Sequence, residues 1–122
     1  MIPAYNEEKP LPKLFERLDI LANNVTKYDF EFLFINDGSK DRTMKIIHDQ
    51  SEKDSRISYI NLSRNFGKEN AMLAGFDYAK GDALVIIDAD LQDPPELIPA
   101  MINLWEDGYD DIYAKRESRE GE

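Results

Sequence analysis

Residues 83–95, ALVIIDADLQDPP, constrain the chain more than any other stretch. They open with a continuous apolar run, 83–87, which is the signature of a strand buried on both faces of a parallel sheet. The run breaks into Asp88, Asp90 and Asp93, and Pro94-Pro95 stops the strand and starts something helical. In extended chain Asp88 and Asp90 point to the same side, about 6–7 Å apart along the backbone. Like charges so placed repel unless a cation or protons intervene. Hard cations such as Mg²⁺ and Mn²⁺ take oxygen ligands, commonly a few carboxylates completed by substrate phosphates. A solvated acidic turn would carry the same D-x-D letters, so the motif gains meaning only from what converges on it.

The rest of the chain alternates helical and strand patterns. A polar loop at 4–9 leads into a helix over 10–25, where Leu11, Leu14, Phe15, Leu18, Leu21 and Val25 recur on one face. Pro10 and Pro12 fit only its first turn, and Asn23-Asn24 mark its end. Residues 30–35, FEFLFI, read as a strand, with Phe30, Phe32 and Phe34 as sheet core. Asn36-Asp37-Gly38-Ser39 is a turn, and Asp41 caps a helix to about Lys53 that buries Met44, Ile46 and Ile47. A third strand follows at 57–62 and a loop at 63–67. A helix at 68–79 carries Ala71, Met72, Ala74, Gly75 and Tyr78 on the side toward the sheet. Lys80-Gly81-Asp82 turns the chain into the 83–87 strand. A helix over 95–105 ends at Gly108, and 111–114 reads as a short fifth strand. His48 reads as a surface residue without a role and Trp105 as a packing residue.

This alternation implies right-handed crossovers and a mainly parallel sheet. In a doubly wound order the first strand is central, with strands two and three on one side and strand four on the other. Ligands then bind beyond the C-terminal strand ends. Three loops with carboxylates converge there: 4–8, 36–41 and 88–94. Asp37 closes the second strand, where an acidic side chain can accept hydrogen bonds from a nucleoside, and Gly38 permits the left-handed turn that would expose it. No G-x-G-x-x-G or GK[ST] loop occurs, so phosphates are not held by a glycine-rich cradle. Metal bridging from Asp88 and Asp90 is the natural substitute. Arg64, in the loop after the third strand, lies at the ligand end and can reach a phosphate. Lys68 starts a helix against the dipole preference, which hints at an anionic partner. Arg116 follows the predicted fifth strand and shares the positional argument.

Composition closes off other chemistries. With no cysteine, disulfides, thiolate zinc sites and cysteine nucleophiles are excluded, and a single histidine excludes a multi-histidine metal site. A net charge of −10 argues against nucleic acid as a partner. It does not argue against an anionic substrate, because a bound cation reverses the local field. No stretch reaches the roughly 18–20 apolar residues of a membrane-spanning helix. Met1-Ile2-Pro3 is too short for a strand yet precedes what reads as a loop leaving one, and the chain closes on the polar run KRESREGE. Both features point to a piece of a larger protein.

Four motifs carry a resemblance: IPAYNEE at 2–8, NDGSKDRT at 36–43, SRNFGKE at 63–69 and DADLQDPPE at 88–96. Together they resemble the family 2 inverting glycosyltransferases of GT-A fold, and within them the polyprenyl-phosphate glycosyltransferases, which include dolichol-phosphate mannose synthases and bactoprenol glucosyltransferases. The resemblance runs along essentially the whole chain. It implies an α/β, Rossmann-like GT-A nucleotide-diphospho-sugar transferase fold, a mainly parallel sheet flanked by helices and incomplete at both ends. Residues 1–122 would be the nucleotide-sugar-binding half of the catalytic domain. The implied reaction moves a hexose from a UDP- or GDP-linked sugar to a polyprenyl phosphate, with inversion, under Mg²⁺ or Mn²⁺.

By the same resemblance, the donor lies against Pro3, Ala4, Tyr5 and Glu7 of the first loop, against Asp37, and against Asp88, Ala89 and Asp90, with Arg64 and Lys68 nearby. The metal sits on Asp88 and Asp90, Gln92 can join its sphere, and Arg116 falls near the donor diphosphate and the mobile acceptor loop. Asp88, Asp90 and Arg116 are thus the catalytic candidates. The parent would sit at the cell membrane with its catalytic domain on the cytoplasmic side, anchored through regions outside this sequence. A phosphate monoester, with a second pKa of about 6, is ionised near neutral pH and needs alignment rather than a dedicated base. A family 2 enzyme acting on a glycan hydroxyl, or a non-catalytic nucleotide-sugar-binding domain, would share this donor half. UDP-glucose, UDP-N-acetylglucosamine and GDP-mannose all remain open, as does the oligomeric state.

Overall fold

The computed structural model describes residues 1–109. The elements run β1 (Ile2–Ala4), α1 (Leu11–Asn24), β2 (Phe32–Asn36), α2 (Thr43–Lys53), β3 (Ile57–Asn61) and α3 (Lys68–Phe76). A 3₁₀ turn at Pro95–Leu97 then leads directly into α4 (Ile98–Glu106). The strands form one parallel sheet in the order β1-β2-β3, with Ala4 opposite Asn36 and Asn36 opposite Asn61.

Helices cover both faces of this sheet, as the alternating pattern requires. On one side Leu11, Leu14 and Leu18 of α1 and Ile47 of α2 pack with Ile2, Phe34, Ile87 and Ile98. Phe15 meets Phe34 edge to face at 5.5 Å. On the other side Ala71 of α3 packs on Met1, Leu33 and Ile35. The approach there is close, because a Cβ at Gly75 would lie 2.1 Å from Met1 Sδ and 2.9 Å from Ile35 Cδ1. All five residues of β2 are buried, since it has a strand on each edge and helices on both faces.

Several expectations need correction. Met1-Ile2-Pro3 were expected to be too short for a strand and Ala4 to open the loop, yet Ile2–Ala4 do form a strand. Strand β2 begins at Phe32, where its partner β3 begins at Ile57. Phe30 stays outside the ladder, stacked on Phe32 with ring centres 6.0 Å apart. In α2 the fully buried positions are Thr43 and Ile47, while Met44 and Ile46 are only half-buried. Helix α3 ends at Phe76, before Tyr78 could complete its face, and Tyr78 turns outward with 61% exposure.

The largest correction concerns residues 83–87. They lie beside β1, where the Met1 amino group donates to Val85 O at 2.8 Å and Ile87 N donates to Met1 O at 3.2 Å. This is the bonding pattern of a parallel bridge, and it puts β1 between β2 and this segment, as the doubly wound order requires. The segment is not a regular strand, however, nor is it buried on both faces. Ile87 packs into the core, but Leu84 and Ile86 are 41% and 38% exposed. The pleat sends alternate residues to opposite faces, and the core cluster on the α3 side gathers Met1, Leu33, Ile35 and Ala71 with Ile60, Leu62 and Met72, and includes neither Leu84 nor Ile86. The expected strand at 111–114 lies outside the described residues.

Phe34→Ala should cost about 3–5 kcal/mol of stability, because it opens a cavity at the fully enclosed centre of β2. Ile20→Ala, on the exposed face of α1, should change stability by less than about 0.5 kcal/mol. Urea unfolding midpoints of the two variants check the contrast.

Candidate functional site

The parallel register brings the loops after β1, β2, β3 and the 83–87 segment to one edge of the sheet. The first two loops are stitched together by backbone donors on side-chain acceptors. Asn6 N donates to Ser39 Oγ (2.9 Å) and Lys40 N to Asn6 Oδ1 (2.8 Å). Glu7 N donates to Thr43 Oγ1 (2.8 Å), and that hydroxyl donates to Asp41 Oδ1 (2.5 Å). Asp41 also accepts from Thr43 N (2.9 Å) and Glu8 N (3.3 Å), so the expected helix-entry carboxylate serves two loops at once. Asn6 adopts a left-handed φ of 52°, which short polar side chains tolerate better than most. Beneath them the buried Asn36 donates to Asn61 Oδ1 (2.8 Å) and accepts from Ser39 N (3.3 Å).

Asp37 was expected at this edge and is there, but it is not exposed. It retains 4% of its accessible surface. Its Oδ1 accepts from Phe66 N at 2.8 Å and its Oδ2 from Asn65 Nδ2 at 3.3 Å, because the loop after β3 folds over it. Gly38 makes this closure possible with φ 66°, and a Cβ there would lie 2.1 Å from the Arg64 carbonyl carbon. Arg64 lies in the same loop, its guanidinium 4.5 Å from the centre of the Phe66 ring.

On the other side of β1, Asp88 and Asp90 are half-buried and Ala89 between them is fully buried, where the chain turns at the end of the 83–87 segment. The third carboxylate, Asp93, is structural. Its Oδ2 accepts from Asp88 N at 3.0 Å and closes the loop. Gln92 N donates to Asp90 Oδ1 at 3.0 Å, and Leu91 between them takes a left-handed φ of 67°. A bulky residue in that region signals a strained turn, of the kind that clusters at ligand sites. Lys68 Nζ lies 2.6 Å from Asp88 Oδ1. Pro3 and Ala4 are buried in β1, Tyr5 is 41% exposed beside them, and Gln92 is exposed. Arg116 lies outside the described residues.

The electrostatics show that the loops converge. Burial, then the negative charges of Asp90, Asp41 and Asp88, raise the Glu7 carboxyl above its ordinary 4.5. Asp41 is pushed up by burial, but hydrogen bonds from the Thr43 hydroxyl and from the Thr43 and Glu8 amides outweigh this and hold it below 3.8. Sequence reasoning places Glu7, Asp37, Asp88 and Asp90 in one crevice. It misses Thr43, Asn6 and Asn65 as the residues that fasten the loops. A signal was available at Thr43, a hydroxyl two residues after Asp41 at a helix start, where such side chains bond local backbone. A surface groove of about 670 Å³ lies between α1 and α2 and contains none of these residues. Arg56, paired there with Asp54 (2.7 Å) and Asp19 (2.8 Å), anchors it.

A parallel α/β sheet with helices on both faces and carboxylate loops gathered at its C-terminal edge is the architecture of the GT-A glycosyltransferases. The chain belongs to Glycosyl transferase family 2, whose sequence profile matches residues 1–122. It is 50% identical over its whole length to the uncharacterized glycosyltransferase YkcC of Bacillus subtilis, covering 38% of that protein. It is 44% identical, over 98% of its length, to the prophage bactoprenol glucosyl transferase homolog of Escherichia coli, covering 39% of it. Its identity with the bactoprenol glucosyl transferase of Shigella phage SfV is 43%, over 98% of the chain and 38% of that protein. The chain thus spans well under half the length of these relatives. The crystal structure of S. aureus TarS 1–349 superposes with a TM-score of 0.69 at 23% identity, over 86% of this chain and 31% of that one, a likeness of fold.

Two outcomes test the site. Thr43→Val keeps the shape of the side chain but strands the Glu7 amide, and should cost about 1–3 kcal/mol at pH 7. Asp41, with its folded pKa depressed, contributes stability that is present above its unfolded value and lost as pH falls through the folded one. The gap between wild type and Thr43→Val should therefore narrow below about pH 4, as read by urea midpoints across a pH series. Glu7 has the opposite sign. Its folded pKa is raised, so ionisation costs stability as pH rises, and Glu7→Gln should raise the unfolding midpoint at pH 7 but not at pH 3.

Proposed function

We propose that the protein carrying this chain transfers a hexose from a nucleotide diphosphate sugar to a polyprenyl phosphate, with inversion, and that residues 1–122 bind the donor. The single observation that carries the reading is the convergence of Glu7, Asp41, Asp88 and Asp90 at one sheet edge, where burial and mutual repulsion raise the Glu7 carboxyl. Relatives at 43–44% identity that bear the name bactoprenol glucosyl transferase support the acceptor class. The acceptor phosphate is ionised near neutral pH, so the domain has to align the donor and stabilise the leaving diphosphate.

The residues present fit a divalent cation of the Mg²⁺ or Mn²⁺ type. Among the described residues no three His, Asp or Glu side chains form a self-sufficient cage. Such ions commonly bind one or two carboxylates and complete their shell with water and substrate phosphates. Asp88 and Asp90 would hold the ion, with Gln92 next to it, and the excess negative charge around Glu7 favours a cation at this edge. Once bound, the cation would draw charge from the departing diphosphate. Glu7, Tyr5 and the backbone of Pro3 and Ala4 would line the donor on the β1 side. Asp37 would meet the nucleoside when the 64–67 loop yields its hydrogen bonds, leaving Arg64 free to turn toward phosphate. Arg116 is proposed for the diphosphate side. Among the described residues no helix is long and apolar enough to cross a membrane, and the parent's membrane association is proposed to come from other parts of that protein.

Calorimetry with UDP and GDP, with Mn²⁺ and then with EDTA, tests this reading. Nucleotide should bind with Mn²⁺ and weaken on EDTA, because the diphosphate then faces Asp88 and Asp90 unscreened. Asp90→Asn should abolish the metal dependence while leaving thermal stability unchanged or slightly higher, since one of two crowded charges is removed. In the full-length protein the same variant should lose most sugar transfer. Wild-type metal-dependent binding and turnover in Asp90→Asn would rule the assignment out.

A further inference from the structure

Lys68 is the first residue of α3, where the helix dipole disfavours a cation. Its ammonium nonetheless lies 2.6 Å from Asp88 Oδ1, with the Lys68 side chain 56% exposed and that of Asp88 23% exposed. An ion pair this open to solvent contributes little to folding. The fold therefore gains little from a pairing that the helix dipole opposes. What the pairing does change is the charge on Asp88, at an edge that also holds Asp90, Asp41 and Glu7.

We propose that Lys68 is a placeholder cation. It neutralises Asp88 while no divalent ion is bound, competes with that ion for the carboxylate, and is displaced toward the donor diphosphate when the metal–nucleotide enters. The inference rests on the reading of Asp88 as a metal ligand. The side chain suits this role, because a compact ammonium on a flexible four-carbon stem can leave one anion for another without moving the helix. An arginine at this position would hold Asp88 through a fixed fork and release it less readily. Lys68 then acts in opposite directions on two equilibria: it weakens binding of the bare ion and strengthens binding of the ion with its nucleotide. This makes the site respond to the loaded donor rather than to free cation.

The test uses Lys68→Met, Lys68→Arg and, as a like-charge control in the loop after β2, Lys40→Met in the 122-residue chain, with folding checked by circular dichroism. Mn²⁺ binding without nucleotide is read by electron paramagnetic resonance, and UDP or GDP binding at saturating Mn²⁺ by calorimetry. Lys68→Met should bind bare Mn²⁺ roughly fivefold or more tighter than wild type and bind nucleotide more weakly by a similar factor. Lys68→Arg should keep or deepen the weak bare-ion binding, and Lys40→Met should leave it near wild type. The gain in Lys68→Met should persist at about 0.3 M salt, where fields of distant charges are screened. Bare Mn²⁺ affinity unchanged or lower in Lys68→Met overturns the proposal, as does an equal gain in Lys40→Met. A fall in nucleotide binding with no change in bare Mn²⁺ would make Lys68 a phosphate contact only. If no variant and no wild type binds Mn²⁺ at all, the metal reading fails and the placeholder falls with it.

Discussion

Everything at the candidate site depends on the parallel register of β1 on β2. Ala4 stands opposite Asn36, and the next amide, Asp37 N, donates back to Ala4 O at 2.9 Å. With the strands pointing the same way, the chain must leave each of them at the same edge. Residues 83–87, bonded to the other side of Met1, add their exit to that edge. The site is therefore a property of topology first and of side chains second. A three-residue strand fixes it because both of its neighbours are held by backbone bonds that do not depend on side-chain identity.

On that frame the chain gathers more negative charge than it neutralises. Each carboxylate meets this differently. Asp37 is covered and satisfied by the 64–67 loop, Asp41 by Thr43 and Glu8, and Asp93 by the Asp88 amide. Asp88 draws Lys68. Asp90 accepts the Gln92 amide two residues on, and Glu7 keeps solvent and the repulsion of Asp90, Asp41 and Asp88. The acids thus divide into those that build the loops and those that leave the loops electrostatically unfinished, and a cationic or cation-carrying ligand completes the second group.

Much of this was legible in the sequence. Periodicity found α1 nearly to the residue, because five buried apolar side chains recur there at helical spacing. Alternation of helix and strand gave the sheet order, and the three acidic loops gave the edge. What stayed hidden has physical causes. The apolar run 83–87 reads as doubly buried, yet burial is decided by which side chains meet across each face, and the cluster beneath α3 forms around Met1, Leu33 and Ile35 without Leu84 or Ile86. Asp37 reads as an exposed acceptor, but a turn residue cannot reveal that a loop 28 positions later will fold over it. Thr43 carries no unusual letter at all, and its importance comes from the Glu7 amide, which lies 36 residues away in sequence.

The uncovered side of residues 83–87 also bears on how the chain behaves in solution. Leu84 and Ile86 present branched aliphatic surface on a nearly extended segment, and Leu73, Phe76 and Tyr78 add more around α3. Such surface favours contact between molecules whenever nothing keeps them apart. What opposes it is the net charge of −10, a long-range repulsion that dissolved salt shortens to about 10 Å at 0.1 M. Acid removes the same repulsion by neutralising the carboxylates. The colloidal behaviour of the isolated chain is therefore set by ionic strength and acidity, through a balance between one sticky strip and a charge spread over the whole molecule.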